Sequence, residues 1–456
     1  MKVLLRDVTV VDVEARRTLP KQSVLIENDR ISAIADAHMG LRNLDDVQVL
    51  ECGGRFLLPG LTDVHVHLQP SAAQVSGAEP HHVQADDSRT AVVNAALPVL
   101  HSYLYCGVTS IFDAGNDGAF IWPLRDAQRH GEMVSPRIFC AGPLVTCSGG
   151  HGSRAFETVI VDGLPEHLPS LEAHFKHQPD LVKITYEDNG FASFPLTPIL
   201  PFRVLRNIVE TAHRHDLRVT VHVSNELRTR EAIACDVDAL AHPVFQSPIT
   251  DELVETLAVR ASPIASTLAF ADRYLRLAED TSYLDNELFA SCIDATERER
   301  LRTSEHDTQR ESRWTKWLRV MTPVVQENLR RLIDAGGVVA TGTDLALGPE
   351  LLRELHLLQA AGIEPWDVLV SATANAARFL GRDDEIGSVA IGKLADLILV
   401  NQDPTTDVSR LAGLSMVMIG GRIVDRARLH LAGERPTHAP TITSRSVSGI
   451  HPDVIL

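Results

Sequence analysis

Two histidines stand two residues apart in Leu58-Pro-Gly-Leu-Thr-Asp-Val-His-Val-His67, a run that reads as a strand. Strand side chains alternate faces, so His65 and His67 point one way while Val64 and Val66 point the other. Neutral imidazoles side by side are a natural ligand pair for a metal ion, each offering one lone pair. A chain with 20 histidines produces such a pair by chance, so the case rests on where other candidate ligands fall. Lys183 interrupts the apolar run Leu181-Val-Lys-Ile-Thr185, where an unpaired ammonium is costly to bury. His222 lies in Val219-Thr-Val-His-Val223, His242 ends Ala239-Leu-Ala-His-Pro243, and Asp344 ends Val338-Val-Ala-Thr-Gly-Thr-Asp344. Each alone has a plain reading: a satisfied buried histidine, a strand-end residue, a turn or cap, a lysine snorkelling to a rim. All six together, at or near the carboxyl ends of five separate strands, form a pattern that those readings do not supply.

The elements that must position them follow from periodicity. Strands are read at 61–68, 108–114, 137–145, 181–186, 218–223, 238–243, 262–268 and 337–344. Several are β-branched with no polar face, as strands covered on both sides are. Helical patterns alternate with them; 88–105, for example, repeats Val92, Ala96, Val99 and Tyr103 behind an Asp86-Asp-Ser88 cap. This alternation predicts an α/β fold, a (β/α)8 TIM-type barrel over 59–380, whose carboxyl-end rim is where such barrels build their sites. A doubly wound sheet is the alternative, but no glycine-rich nucleotide loop follows the first strand.

Short strands and tight turns fill 1–58 and return at 381–432, where Gly420-Gly421 punctuates a hairpin. Neither half can bury a core alone, so one composite β-sandwich domain from both termini is expected. A polar helical insertion at about 270–325 carries Tyr274, Tyr283, Trp314 and Trp317. It reads as an exposed hairpin, a lid over the barrel mouth or an oligomer contact. Residues 433–456, with their prolines, serines and threonines, read as an arm.

Composition narrows the function classes. The 456 residues are 44% hydrophobic and 23% charged, as in a soluble globular protein, and the net charge of −17 disfavours nucleic-acid or anionic-membrane partners. No apolar run approaches the roughly 20 residues of a membrane span. The acidic residue in Met1-Lys-Val-Leu-Leu-Arg-Asp7 interrupts what an export signal would keep apolar. Cys52, Cys106, Cys140, Cys147, Cys235 and Cys292 form no Cys-x-x-Cys pair, so reduced thiols in a cytoplasmic protein are expected.

Over nearly its whole length the chain resembles the amidohydrolase superfamily. The resemblance rests on the Pro-Gly-Leu-Thr-Asp-Val-His-Val-His run, Lys183, His222, His242 and Thr343-Asp344. Ser371-Ala-Thr-Ala-Asn-Ala-Ala-Arg-Phe-Leu-Gly381 and Ile386-Gly-Ser-Val-Ala-Ile-Gly-Lys-Leu-Ala-Asp-Leu397 match the family's return into its β-domain. The fourth-strand lysine resembles that of the binuclear branch. Cys147-Ser-Gly-Gly-His-Gly152 is similar to the loop of its prolidase-like and imidazolonepropionase-related group, which includes ochratoxinase-, phenylurea hydrolase- and molinate hydrolase-type enzymes; Cys-Ser replaces the usual threonine.

The resemblance implies two divalent metal ions, zinc first, with cobalt, manganese or iron as alternatives. His65, His67 and Asp344 would hold one ion, and His222 and His242 the other. Lys183, carboxylated by CO2 to a carbamate, would bridge them. A hydroxide between the ions would attack, Asp344 would move the proton, and His151 would contact substrate or oxyanion, with Tyr186 and Arg154 as further substrate candidates. The implied activity is hydrolysis of a C–N bond in a small molecule: an amide, urea, carbamate, thiocarbamate or cyclic imide. Alternatives are a dipeptidase or carboxypeptidase using Arg154, or a lactonase or phosphotriesterase on the same cage. A mononuclear deaminase is disfavoured because Val223 and Ser224 stand where an acidic residue is expected. A non-catalytic scaffold is disfavoured because all six ligand positions are filled. A homo-oligomer is expected.

Overall fold

The computed structural model describes residues 2–36, 47–68, 89–163, 165–434 and 454–455. Its centre is a set of parallel strands in two hydrogen-bonded groups. Leu61–Val66, Val108–Asp113 and Arg137–Cys140 form one group. In the other, Leu144–Thr146 is followed by Leu181–Thr185, Arg218–His222, Ala239–Leu240, Ile264–Ala265 and Val339–Ala340, with Thr158–Ile160 at the outer edge. Backbone hydrogen bonds join the groups at both seams. Asp180 N–H donates to Cys140 O at 2.9 Å; Val64 N–H donates to Thr341 O at 3.0 Å and Asp344 N–H to His65 O at 2.8 Å. Leu61–Val66, Val108–Asp113 and Leu181–Thr185 are buried at every residue, which explains their lack of a polar face. Between strands, helices turn one apolar stripe inward; Phe202–Arg214 buries Val204, Leu205, Ile208, Val209 and Ala212.

Every segment read as a parallel strand contains one, but several are shorter than the sequence suggests. Ala239–Leu240, Ile264–Ala265 and Val339–Ala340 are two residues each. Beyond the last two, Thr267 and Asp344 take left-handed backbone, φ 46° and 56°, although their N–H groups still donate to Gly342 O and His65 O. The single strand expected over 137–145 is two strands in different groups. Gly142, at φ 69°, and Pro143, without an N–H, break it. The helix expected at 88–105 is Arg89–Tyr105; its cap, Asp86 to Ser88, lies outside the described residues.

Strands from both termini make one nine-stranded sheet rather than two separately bonded layers. Phe56–Pro59 ties its halves, pairing parallel with Lys2–Asp12 and antiparallel with Leu397–Val400. Apolar side chains of Val3, Leu5, Val24, Leu57, Leu397 and Met416 pack on it. Gly420 and Gly421, at φ 53° and 74°, make the expected turn between Leu414–Ile419 and Arg422–Val424. From Phe56–Pro59 the chain runs through Gly60 straight into Leu61–Val66, so the sheet delivers the first site strand.

The expected insertion is a set of helices from Leu268–Glu279 to Arg313–Asp334. Arg276, ion-paired to Asp272 on its own helix, fastens the insertion at 2.7 Å to Glu350 of helix Gly348–Ala360. Tyr283 lies under Arg276, its ring centre 4.1 Å from the guanidinium carbon. Most of the expected arm lies outside the described residues. At its root, Gly433 N–H donates to Ser291 O at 3.0 Å, and Val454–Ile455 pairs with Ile423–Val424. Among the described residues no helix is long and apolar enough to cross a membrane.

A β-carbon on Gly142 would overlap the indole of Trp122, and the left-handed backbone adds strain. Gly142→Ala is therefore expected to destabilise the fold by roughly 1–3 kcal/mol. A thermal melt read by circular dichroism should show a lower midpoint; an unchanged midpoint would remove this account of the strand break.

Candidate metal centre

Four imidazoles and a carboxylate meet where the parallel strands end. His65 Nδ1 lies 2.9 Å from Ala241 O, and His67 Nδ1 lies 2.7 Å from Gly115 O. A carbonyl can only accept, so each Nδ1 carries the proton and each Nε2 keeps its lone pair facing the mouth. Asp344 Oδ1 stands 3.5 Å from His65 Nε2 and 3.4 Å from His67 Nε2. One ligand atom each from His65, His242 and Asp344 lie within 4.8 Å of one another. The ring centres of His65 and His242 are 4.6 Å apart, and those of His242 and His222 are 4.5 Å apart. His242 thus lies as near His65 as His222, and ring spacing alone draws no boundary between the two ligand groups expected from the sequence.

The electrostatics favour lone pairs over charges. Burial pulls His65, His222 and His242 well below the usual histidine value, and His67 to about 3. The charge of Lys183 presses each of them the same way. Lys183 itself is 2% exposed, from the middle of its buried strand. Burial lowers the lysine and raises the carboxyl of Asp344, and their mutual attraction opposes both shifts. The buried Nε2 of His65 has no hydrogen-bond partner. An electron-pair acceptor is what this donor set lacks, and neutral imidazoles with a carboxylate suit zinc, cobalt, manganese or iron.

Three buried carboxylates hold the candidate ligands in place. Asp63 accepts from the N–H groups of His65 at 3.2 Å and Thr343 at 3.0 Å, and from Thr343 Oγ1 at 2.7 Å. It thereby locks the first strand to the turn that presents Asp344. Asp113 accepts from the N–H groups of Leu68 at 2.8 Å and Gly115 at 3.2 Å, and from Asn116 Nδ2 at 2.9 Å; the carbonyl of Gly115 is the one that orients His67. Glu354 accepts from Ser266 Oγ at 2.5 Å, Leu268 N–H at 3.0 Å and Ala269 N–H. It fixes the turn around Thr267, whose hydroxyl lies 3.1 Å from His242 Nδ1. The sequence reading missed all three, although Asp63 sits two residues before His65 on the same strand face.

The other candidates divide. His151 stacks on His222 with ring centres 4.3 Å apart, and its Nδ1 lies 3.2 Å from Asn189 Oδ1. Burial lowers it to about 4. With His222, His242 and Asp344 it lines a cavity of about 160 Å³. Tyr186 and Arg154 are absent from the cavity's described lining. The Tyr186 hydroxyl instead donates to Glu231 at 2.9 Å, and Arg154 is exposed.

A model of the amidohydrolase family matches residues 56–424, and the chain belongs to that family of hydrolases. Imidazolonepropionase from Geobacillus sp. (strain WCH70) is 42% identical over 78 residues, which are 16% of this chain and 18% of that enzyme. The match thus spans under a fifth of that relative's length. A solved prolidase complexed with N-methylphosphonate-L-proline superposes at a TM-score of 0.74 with 21% identity, covering 93% of this chain and 99% of its own. Molinate hydrolase superposes at 0.73 with 22% identity, covering 99% of each chain. The fold is theirs: a TIM-type barrel with a separate terminal sheet domain.

Asp113→Asn keeps the shape but loses acceptor capacity behind His67. Metal affinity is expected to fall about 10- to 100-fold with unchanged circular dichroism, as measured by chelator competition. Unaltered affinity would show that Gly115 holds His67 without Asp113.

Proposed function

We propose that this chain is a two-metal hydrolase that cleaves a C–N bond of amide, urea, carbamate or thiocarbamate type in a small molecule. The observation that carries the reading is the buried, unpartnered Nε2 of His65 facing Asp344 and His242 in a set of rings that burial keeps neutral. His65, His67, Asp344, His222 and His242 would hold the ions, zinc first. Lys183, with CO2 added to its amine, would supply a bridging anionic oxygen pair. Burial supports this, because it favours the neutral amine that adds CO2 and because the carbamate removes an ammonium from a dry site. Bound there, divalent ions would lower the pKa of a water toward neutrality and polarise the scissile carbonyl.

The chain's own groups do the rest. Asp344, beside the histidines at the mouth, takes the proton from the water as its oxygen bonds to the carbonyl carbon. It then delivers that proton to the nitrogen as the C–N bond breaks. His151, stacked on His222 with its Nδ1–H on Asn189 Oδ1 and its ring kept neutral by burial, would meet the substrate through Nε2 as an acceptor for an N–H. The reading takes the parallel strands as one closed ring, which the hydrogen bonds at both seams support. Six free cysteines, all buried, support a reducing cytoplasmic setting.

Elemental analysis is expected to give two metal equivalents per chain. Lys183→Ala should lose at least one of them, with partial recovery in a short-chain carboxylate; full occupancy in that variant would sink the carbamate. An assay of anilides, ureas, carbamates and dipeptides, with and without chelator, is expected to find chelator-sensitive cleavage of an amide-type bond. Cleavage of a lactone or phosphotriester with none of the amide-type panel would overturn the bond assignment.

A further inference from the structure

The cavity that opens off the histidines has a second wall built from elements outside the ligand strands. Phe191 and Phe194 come from the loop after Leu181–Thr185, and Phe245 from the turn after His242. Phe270 lies on helix Leu268–Glu279, and Trp314 and Trp317 lie on helix Arg313–Asp334. The two indoles, three residues apart on one helix face, stack with ring centres 5.2 Å apart. Phe191 is 5.3 Å from Trp317 and 5.7 Å from Phe245, and Phe194 meets Trp314 edge-on at 5.0 Å. Phe245 stands 6.5 Å from the ring of His242, so the cage begins where the ligand histidines end.

Charge and size then limit the occupant. Among the described residues the cavity wall contains no lysine or arginine, and its one carboxylate is Asp344. A free carboxylate placed in the cage would lose its water without a cation to replace it. The volume of about 160 Å³ covers the cage and its histidine end together, little more than the roughly 150 Å³ apolar cavity that accepts one benzene molecule, so the cage has room for no more than one ring. Faces and edges at these spacings suit a further aromatic ring.

We propose that the cage of Phe191, Phe194, Phe245, Phe270, Trp314 and Trp317 selects uncharged substrates that carry a single apolar ring beside the scissile C–N group. This rests on the reaction proposed above and narrows it: the amide-type group faces the histidines and Asp344, and the ring fills the cage. Zwitterionic dipeptides are excluded by the same wall, and with Arg154 outside the described lining nothing there pairs with their carboxylate.

The test uses metal-loaded protein and matched compounds. N-phenyl amides, ureas and carbamates are compared with their 4-carboxyphenyl and 2-naphthyl counterparts. For the bond type that is cleaved, kcat/KM is expected to favour the neutral phenyl compound over the carboxylated one on the order of a hundredfold, and over the naphthyl one. Trp317→Ala should lower kcat/KM for the phenyl compound about tenfold or more at unchanged metal content. Met321→Arg, on the same wall, should shift preference toward the carboxylated compound. Binding is read separately, from tryptophan fluorescence, with N-phenylmethanesulfonamide and its 4-carboxylate as uncleavable probes. Tighter binding of the neutral probe supports the cage even if no amide-type bond is cleaved, in which case the reaction proposal fails alone. Equal or tighter binding of the carboxylated probe, or a preference for carboxylated or dipeptide substrates, overturns the cage while leaving the reaction proposal standing.

Discussion

Everything at the mouth depends on keeping four imidazoles uncharged and aimed. Burial removes the proton that would otherwise occupy the ligand nitrogen, and a backbone carbonyl behind His65 and behind His67 takes the remaining N–H. Neither condition suffices alone. A buried ring without a carbonyl could turn or change tautomer, and an oriented ring in water would be protonated across the acid range. The carbonyls are themselves fixed by strand pairing and by buried carboxylates, so precision at the lone pairs is drawn from deep inside the fold.

That dependence accounts for the arrangement of the larger parts. The terminal sheet holds Phe56–Pro59 between strands from opposite ends of the chain, and Gly60 then passes the backbone into the histidine strand. A β-carbon at Gly60 would overlap Thr109, so the close crossing of these layers requires glycine. On the far side, Gly342 packs its α-carbon against His65, and the backbone bond from Asp344 to His65 O closes the same corner. The first and last strands are thereby held as one unit around Asp63.

Much of this was legible in the sequence because strands leave a short-range signature. The apolar runs around Lys183 and His222 and the alternation at His65 and His67 are local patterns, and the structure gathers those residues. Strand length was less legible, because Ile264–Ala265 and Val339–Ala340 pair over only two residues and then continue as irregular backbone, and no residue type announces that. The split at Gly142-Pro143 was written in the chain but overridden by the β-branched residues around it. Asp63 and Asp113 gave no signal of their role, since most of their partners are backbone N–H groups that every residue carries. Glu354 had no local signal, for it acts from a helix on a turn more than 80 residues away. The aromatic wall was half visible: Trp314 and Trp317 stood out in the insertion, whereas Phe191 and Phe245 sit in irregular loops that have no periodicity to read.

The wall and the ligands occupy separate pieces of chain, and this has a consequence for how such a molecule can change over generations. Substitutions at 191, 194, 314 or 317 alter a loop and an inserted helix, whereas the carboxylates that brace the histidines are held by strand ends, the turn around Thr267 and Asn116. Selection can therefore explore new molecules to degrade while the bond-breaking apparatus stays intact. Loss of the apparatus, by contrast, needs only one substitution at a braced strand end. Drift in what is consumed should be frequent among descendants of this chain, and drift in how it is consumed rare.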